Sequence, residues 1–301
     1  MSRRGLILFG AMSLIWGLPY LLISIAVESL APPTVVAGRT GIAALLLLPI
    51  ALRQGSLKVA LAHWRWIAAF GAIEMAGPFI LLGHAELTLP SGLTGLLVAT
   101  VPLFGAIVSF ALGDRHALTR SRLLGLVLGI VGVALVVGAA SGDGEVRLVN
   151  VLEVLVVAVC YAVAPFITDR KLGDVPGIGI ATLSLGLVSL AYLPIAALAQ
   201  DGVPTARSLS ALGALAVICT AVAFVVFFAL IREVGPAQAT VITFVNPVVA
   251  LGLGITVLDE SLSLGQLLGL PVVLAGCWLA AGRSREAGPL LVAEGGATAG
   301  D

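Results

Sequence analysis

Ten apolar stretches, each about long enough to cross a membrane, follow one another along most of the chain. The hydrocarbon core of a bilayer is about 30 Å thick, so a crossing helix needs roughly 20 mostly apolar residues. In lipid every backbone polar group must be satisfied internally, which favours helices for such stretches. The sequence therefore predicts an all-α integral membrane protein with ten transmembrane helices, at residues 5–26, 34–52, 66–84, 91–112, 123–140, 149–168, 177–199, 209–230, 236–257 and 265–282.

The amino-acid composition agrees with burial in lipid. Of the 301 residues, 59% are hydrophobic and 11% are charged, against roughly 45–50% and 25% in soluble domains. The formal net charge is zero, so nothing indicates a nucleic-acid partner. We expect the partners to be the lipid bilayer and a small-molecule substrate, and the location to be the plasma membrane.

An internal repeat divides the chain into two halves. At a shift of 145 residues, LLPIA at 47–51 aligns with YLPIA at 192–196. The repeat predicts one five-helix unit over residues 5–140 and a second over 149–283. Because five is odd, the second unit enters the membrane in the opposite direction, and such inverted repeats are typical of secondary transporters. Residues 284–301 lack periodicity and are expected to form a disordered cytoplasmic tail.

The basic residues indicate the orientation, because Lys and Arg favour cytoplasmic segments. With the N-terminus inside, the outer segments contain only Arg147 and Arg207. Both termini are therefore expected in the cytoplasm. The basic residues of the cytoplasmic segments are Arg3, Arg4, Arg53, Lys58, Arg65, Arg115, Arg120, Arg122, Arg170, Lys171, Arg232, Arg283 and Arg285.

Three motifs resemble those of EamA-type carriers of the drug/metabolite transporter superfamily. They are LIWGLPY at 14–20, AGRTGIAALLLLP at 37–49 and the glycine-rich GLVLGIVGVAL at 125–135. The resemblance covers roughly residues 5 to 283. It implies ten spans in two halves and transport, commonly outward in bacteria, of amino acids, other metabolites, drugs or sugar derivatives. It supplies no set of site residues.

Three charged side chains, Arg39, Glu74 and Glu153, fall within the predicted spans. Each costs roughly 2.5–3.5 kcal/mol near a helix centre and so needs a partner or a water-filled cavity. Counting residues from the span ends places Glu74 near the midplane, at a depth similar to that of Asn246 and Trp16. In the self-alignment none of the three charged residues has a charged counterpart, which suggests a role beyond the shared fold.

The charged residues have open alternatives. Arg39 can anchor a substrate carboxylate, form an outer ion pair with Glu153, or extend to the headgroups. Glu74 can gain and lose a proton on alternate sides, pair with a substrate ammonium, or remain protonated and bond to a helix carbonyl.

The polar and aromatic candidates are also ambiguous. Asn246 either faces a cavity or satisfies carbonyls freed by the proline that follows it. Trp16 and its counterpart Tyr161 either line a cavity or pack in the core. His84 and Glu86 are expected at a solvated interface at the end of the third span.

The remaining motifs exclude several classes. No phosphate-binding loop and no H-E-x-x-H motif is present, so we predict no cofactor, no metal site and no enzyme activity. An intramembrane enzyme and a non-transporting structural membrane protein are the alternatives to a transporter. The G-x-x-x-G patterns at 125–129 and 265–269 indicate close helix packing, either within the chain or in a homodimer.

Overall fold

The computed structural model describes residues 1–113, 119–140 and 147–281, and the regular elements in these ranges are all helical. Most of the helices match the apolar stretches of the sequence. The α-helices are α1 Arg3–Val27, α2 Pro32–Arg53, α3 Ser56–Ala62, α4 Trp64–Gly71, α5 Gly77–Ala85, α6 Ser91–Val98, α7 Val101–Ala111, α8 Arg120–Ala140, α9 Leu148–Lys171, α10 Gly177–Ala199, α11 Ala206–Ala216, α12 Ala223–Val234, α13 Pro236–Ala239, α14 Asn246–Val257 and α15 Leu264–Ala281.

Membrane-length helices account for the first eight predicted spans. Within the described residues, eight helical segments are long and apolar enough to cross a bilayer, by length and composition. Two shorter apolar helices, Val241–Val257 and Leu264–Ala280, occupy the positions predicted for the ninth and tenth spans. The predicted tail at 284–301 lies outside the described residues. The long segments are Arg3–Val27, Pro32–Arg53, Trp64–Ala85, Ser91–Ala111, Arg120–Gly138, Leu148–Lys171, Gly177–Ala199 and Ala206–Val234.

The ninth predicted stretch is not one continuous α-helix, in contrast to the sequence-based expectation. A 3₁₀ segment, Thr240–Phe244, separates α13 from α14. Pro247 lies in the first turn of α14, where its missing N–H costs no helical hydrogen bond. Its ring would clash with the preceding turn, so the chain cannot continue into α14 as an undisturbed α-helix.

Two π-helical turns interrupt equivalent helices in the two halves. The first, Ala72–Ala76, joins α4 to α5, and the second, Val217–Val222, joins α11 to α12. Their first residues are 145 positions apart, the same shift that aligns the sequence with itself. A π-turn leaves backbone carbonyls without their usual partners and often marks a functional site.

A second pair of interruptions follows the same shift. Helix α7 begins at Val101 and α14 begins at Asn246, each with a proline in its first turn. The duplication therefore includes the irregular positions of the fold and not only the apolar pattern.

Two pairs of equivalent helices pack against each other in antiparallel fashion, α2 with α10 and α8 with α15, and α6 packs against α14 of the other half. A Cβ added to Gly125 would lie 2.5 Å from the carbonyl oxygen of Gly276, and one added to Gly269 would lie 2.9 Å from that of Gly132. Small residues allow such close approach of helix backbones. This packing within one chain accounts for these glycines without a second copy of the protein.

The short helix α3 was not expected from the sequence. Gly55 precedes it with a φ of +65°, a left-handed conformation that glycine adopts without strain. A Cβ added to Gly179 of α10 would lie 2.6 Å from the carbonyl oxygen of Ser56, so α3 packs tightly on the second half of the chain.

Candidate functional site

Arg39 is buried in the interior, with 6% of the residue exposed. Its Nε donates a hydrogen bond of 2.9 Å to the hydroxyl of Thr220. Its guanidinium carbon lies 3.9 Å from the centroid of the Phe79 ring, a distance at which the ring face attracts a cation. Among the described residues, no carboxylate lies within ion-pairing distance of Arg39.

Thr220 connects Arg39 to the second π-turn. The Thr220 hydroxyl donates 2.8 Å to the carbonyl of Leu215, five residues earlier, where the α-helical bonding pattern is interrupted. It also accepts the hydrogen bond from Arg39. One buried hydroxyl therefore satisfies the backbone irregularity and fixes the direction of the guanidinium.

Glu74 lies on the first π-turn and is half-buried. In the described part of the chain, no donor bonds to its carboxylate and no cation pairs with it. The Tyr192 hydroxyl of α10 donates 3.0 Å to the carbonyl of Ala76 at the end of the same turn. The turn is thus stabilised from the other half, while the carboxylate of Glu74 remains available for a proton or a cationic group.

Tyr161 of α9 lies near both charged groups. It is close enough to interact electrostatically with both Arg39 and Glu74. Tyr20 of α1, at 8% exposure, interacts in the same way with Arg39 and Tyr161. The interior therefore contains one polar region to which both halves of the chain contribute.

A cavity of about 240 Å³ adjoins this polar region. Tyr161 forms part of its wall, whereas Arg39 and Glu74 do not line it. Its walls come from the start of α7, from α9 and from the 3₁₀ segment before α14, at Val101, Pro102, Gly105, Tyr161, Ala162, Pro165, Thr243 and Phe244.

The ion pair between Arg39 and Glu153, one of the sequence-based alternatives, is not formed. Glu153 instead accepts from Nδ1 of His84 at 2.8 Å and lies 3.4 Å from the amide nitrogen of Asn150. His84 lies in the last turn of α5 and Glu153 in the second turn of α9, so their side chains meet near one end of the bundle, whereas Arg39 donates to Thr220.

Asn246 and Trp16 lie apart from the charged groups. In the amide orientation that its surroundings favour, Asn246 donates to the carbonyls of Ser13 at 3.3 Å and Ile242 at 3.0 Å. This arrangement favours the carbonyl-satisfying role. The Trp16 ring lies 4.6 Å from that of Phe227, in a core cluster with Met12 and separate from the cluster against which Tyr161 packs.

Sequence reasoning missed Thr220, Phe79, Tyr20 and Glu86. Thr220 follows Cys219, the counterpart of Glu74, and aligns with apolar Met75, so the self-alignment contained a signal for it. Glu86 was expected at a solvated interface, yet only 5% of it is exposed. Its burial results from packing against other helices, which no local pattern reveals.

The fold and this polar interior are those of a multi-pass helical membrane protein. Residues 3–138 and 149–282 each match the model of the EamA-like transporter family, and the chain belongs to that family. The two matches coincide with the two halves of the sequence repeat.

Curated relatives align over nearly the whole chain. The "Uncharacterized inner membrane transporter YedA" of Escherichia coli (strain K12) is 31% identical over 90% of this chain and 90% of its own length. The "Uncharacterized transporter YvbV" of Bacillus subtilis (strain 168) is 28% identical over 94% and 93%, respectively. The "Probable terminal-alkyne amino-acid exporter" of Streptantibioticus cattleyicolor is 27% identical over 73% and 75%.

A solved structure shares the fold. A chain described as "Crystal structure of protein" matches with a TM-score of 0.65 and 18% sequence identity, covering 93% of this chain and 97% of that one. A match of this extent includes most of both repeats and is therefore not limited to one of them.

Proposed function

We propose that this protein is a secondary transporter that exports a small amino-acid-like solute by alternating access between two inverted five-helix repeats, residues 5–140 and 149–283. The duplicated π-turns and the antiparallel pairing of equivalent helices support the inverted repeat. In such folds the two halves rock against each other around a site near the bilayer midplane.

The proposed topology has ten spans with both termini and the tail at 284–301 in the cytoplasm of a bacterial-type plasma membrane. The uneven distribution of basic residues supports this orientation. The shortened ninth and tenth helices then complete the crossing together with their flanking segments, and irregular backbone is tolerated where protein or a cavity surrounds it.

The single observation that carries the proposal is the hydrogen bonding of the Arg39 guanidinium. Its Nε is bonded to Thr220, while no acceptor among the described residues bonds to its two terminal nitrogens. A guanidinium fixed in this way presents a planar pair of donors that matches a carboxylate. A carboxylate-bearing solute is therefore the expected ligand of Arg39.

Glu74 and Tyr161 complete the proposed site. The carboxylate of Glu74 has no bonded partner in the described residues and lies near Tyr161, which in turn lies near Arg39. A zwitterionic solute could place its carboxylate at Arg39 and its ammonium toward Glu74. Alternatively, Glu74 carries a coupling proton. The relative named "Probable terminal-alkyne amino-acid exporter" supports an amino-acid-like solute and outward transport.

Hydrogen bonds between the halves support a conformation that is closed at one end. The carboxylate of Glu260 accepts from the backbone N–H groups of Ser91 at 2.7 Å and Gly92 at 3.0 Å. The Gln200 side chain accepts from the N–H of Ala31 at 2.9 Å. In the proposed topology these contacts lie outside, so opening to the exterior requires their release, while the cavity beside Tyr161 lies in the inner half.

Counterflow in proteoliposomes tests the proposal. Vesicles containing the purified protein are loaded with one of the twenty proteinogenic L-amino acids, and entry of the same radiolabelled compound is compared with that into protein-free vesicles. Amino-acid amides, which lack the carboxylate, serve as matched probes. Exchange of at least one amino acid but not of its amide supports the proposal. Equal behaviour of protein and protein-free vesicles across the panel contradicts it.

A further inference from the structure

The side chain of Glu86 is buried without a hydrogen-bond partner. Glu86 is 5% exposed, and neither carboxylate oxygen has a donor among the described residues. The backbone of Ser24 in α1 approaches this carboxylate, but no group in the described part of the chain reaches normal hydrogen-bonding geometry. A buried carboxylate without a partner is costly, so it either takes up a proton or requires a compensating positive charge.

Arg39 of α2 provides a positive charge beside the face of α5 on which Glu86 lies. The N–H of Glu86 still bonds to the carbonyl of Leu82, so Glu86 continues the helical path. Seven residues separate it from Phe79, which corresponds to two turns on one face and a rise of about 10.5 Å. The guanidinium of Arg39 covers the Phe79 ring. Glu86 therefore lies two turns along the same face from the cation.

The electrostatic neighbours of the two residues agree with this placement. Arg39 interacts with Glu86 and with the uncharged side chains of Tyr20, Tyr161 and Cys219. Glu86 interacts with Arg39 and with Glu260, whose own carboxylate is already bonded to two backbone N–H groups. Among the described residues, Glu86 is therefore the carboxylate in range of Arg39.

We propose that Glu86 is the counterion of Arg39 in the solute-free protein and a third charged residue of the solute site, which a solute carboxylate replaces when it binds. The counterion role rests on the burial of Glu86 and its placement relative to Arg39 and requires no solute, whereas the replacement rests on the proposed function. An arginine stays charged in a protein interior, so Glu86 compensates it at a distance until an anion makes direct contact.

A double-mutant cycle on stability tests the counterion role without any solute. The apparent Tm of the purified full chain in detergent is measured at one scan rate for wild type, Arg39→Gln, Glu86→Gln and the double variant. Each single change leaves one buried charge uncompensated. We expect both single variants to unfold at lower temperature and the double variant to lose clearly less than the sum of the two losses.

The matched control is the cycle of Arg39→Gln with Glu153→Gln. Glu153 pairs with His84 in the structure, so this cycle is expected to be additive. Additivity of the Arg39 and Glu86 changes as well would overturn the proposal. A protonated Glu86 would overturn it too, and would be recognised because glutamine is then nearly isosteric and Glu86→Gln has little effect of its own.

Two further measurements keep the test decisive. If a single variant yields no folded protein, folded yield replaces Tm, and a double variant that folds no better than the worse single variant overturns the proposal.

The replacement step is tested by measuring the binding of acetate, propionate and L-alanine to wild type and Glu86→Gln. Removal of the competing carboxylate should increase affinity by roughly fivefold or more, and unchanged affinity contradicts replacement. Failure of the wild type to bind any of these probes counts against the replacement step and the proposed function, and leaves the result of the stability cycle intact.

Discussion

The Nε of Arg39 lies 2.9 Å from the hydroxyl of Thr220, and the two residues come from different halves of the chain. Thr220 is 2% exposed and belongs to a π-turn. The orientation of the Arg39 guanidinium is therefore fixed by a residue in a π-turn of the other half. Any movement of one half against the other must carry this contact along or break it.

Replacement of Thr220 by valine tests this contact. Thr220→Val keeps the side-chain shape but removes the acceptor for Arg39 and the donor for Leu215, and an unsatisfied buried group costs about 1–3 kcal/mol. We expect a lower apparent Tm and reduced exchange of amino acids. The control is Thr256→Val, since the hydroxyl of exposed Thr256 donates to the carbonyl of Gly252 in its own helix. Equal effects of the two substitutions would speak against a special role for Thr220.

Ionisation of Glu74 is tested by Glu74→Gln, which preserves shape while removing the charge. If Glu74 gains and loses a proton during transport, the variant should lose the dependence of exchange on the pH of the medium and most of its accumulation under a pH gradient. Glu28→Gln, at an exposed position, is the control and should keep the wild-type profile. A Glu74→Gln protein with the rate and pH profile of the wild type would leave Glu74 a structural role only.

The glycines of α8 differ in what surrounds them, and this predicts their sensitivity. A Cβ at Gly125 would lie 2.5 Å from a backbone oxygen of α15, whereas one at Gly138 meets nothing within 4 Å. Overpacking costs about 1–3 kcal/mol, so Gly125→Ala should lower the apparent Tm and Gly138→Ala should not. Similar Tm values for the two variants would mean that α8 and α15 are packed less closely than the structure has them.

Topology is tested by reporter fusions after Gly142 and after Ser284. The proposed ten spans place these points on opposite sides of the membrane, so a cytoplasmic reporter should be active only in the second fusion and a periplasmic reporter only in the first. Activity of the same reporter at both points would rule out two five-span halves.

The sequence predicted the positions of the helices better than their interior shape. Apolar stretches give the length of each helix, because every residue in it must tolerate lipid or a packed interior. The repeat identified the equivalent positions of the two halves. The π-turns at Ala72–Ala76 and Val217–Val222 remained hidden, since one extra residue in a turn hardly changes an apolar pattern. The break before Pro247 was easier to predict, because proline disrupts the helical turn that precedes it.

The candidate site was predicted in part. Counting residues gives the depth of a side chain along a helix but not the direction in which it points. Arg39 and Glu153 were therefore paired by depth, although one faces Thr220 and the other faces His84. Glu86 is buried by helices that are distant in sequence. Its position beside the last turn of α5 therefore led to the wrong expectation that it is exposed to solvent.

Exchange by Arg39→Gln measures the central claim most directly. Counterflow of each L-amino acid that the wild type exchanges is compared for wild type, Arg39→Gln and Arg53→Gln, the last carrying the same change at an exposed position of the same helix. Rates are normalised to folded protein in the vesicles. Loss of a charged contact to the solute carboxylate should reduce exchange by roughly tenfold or more in Arg39→Gln and leave Arg53→Gln unchanged. Wild-type exchange by Arg39→Gln would contradict the assignment of Arg39 as the solute anchor.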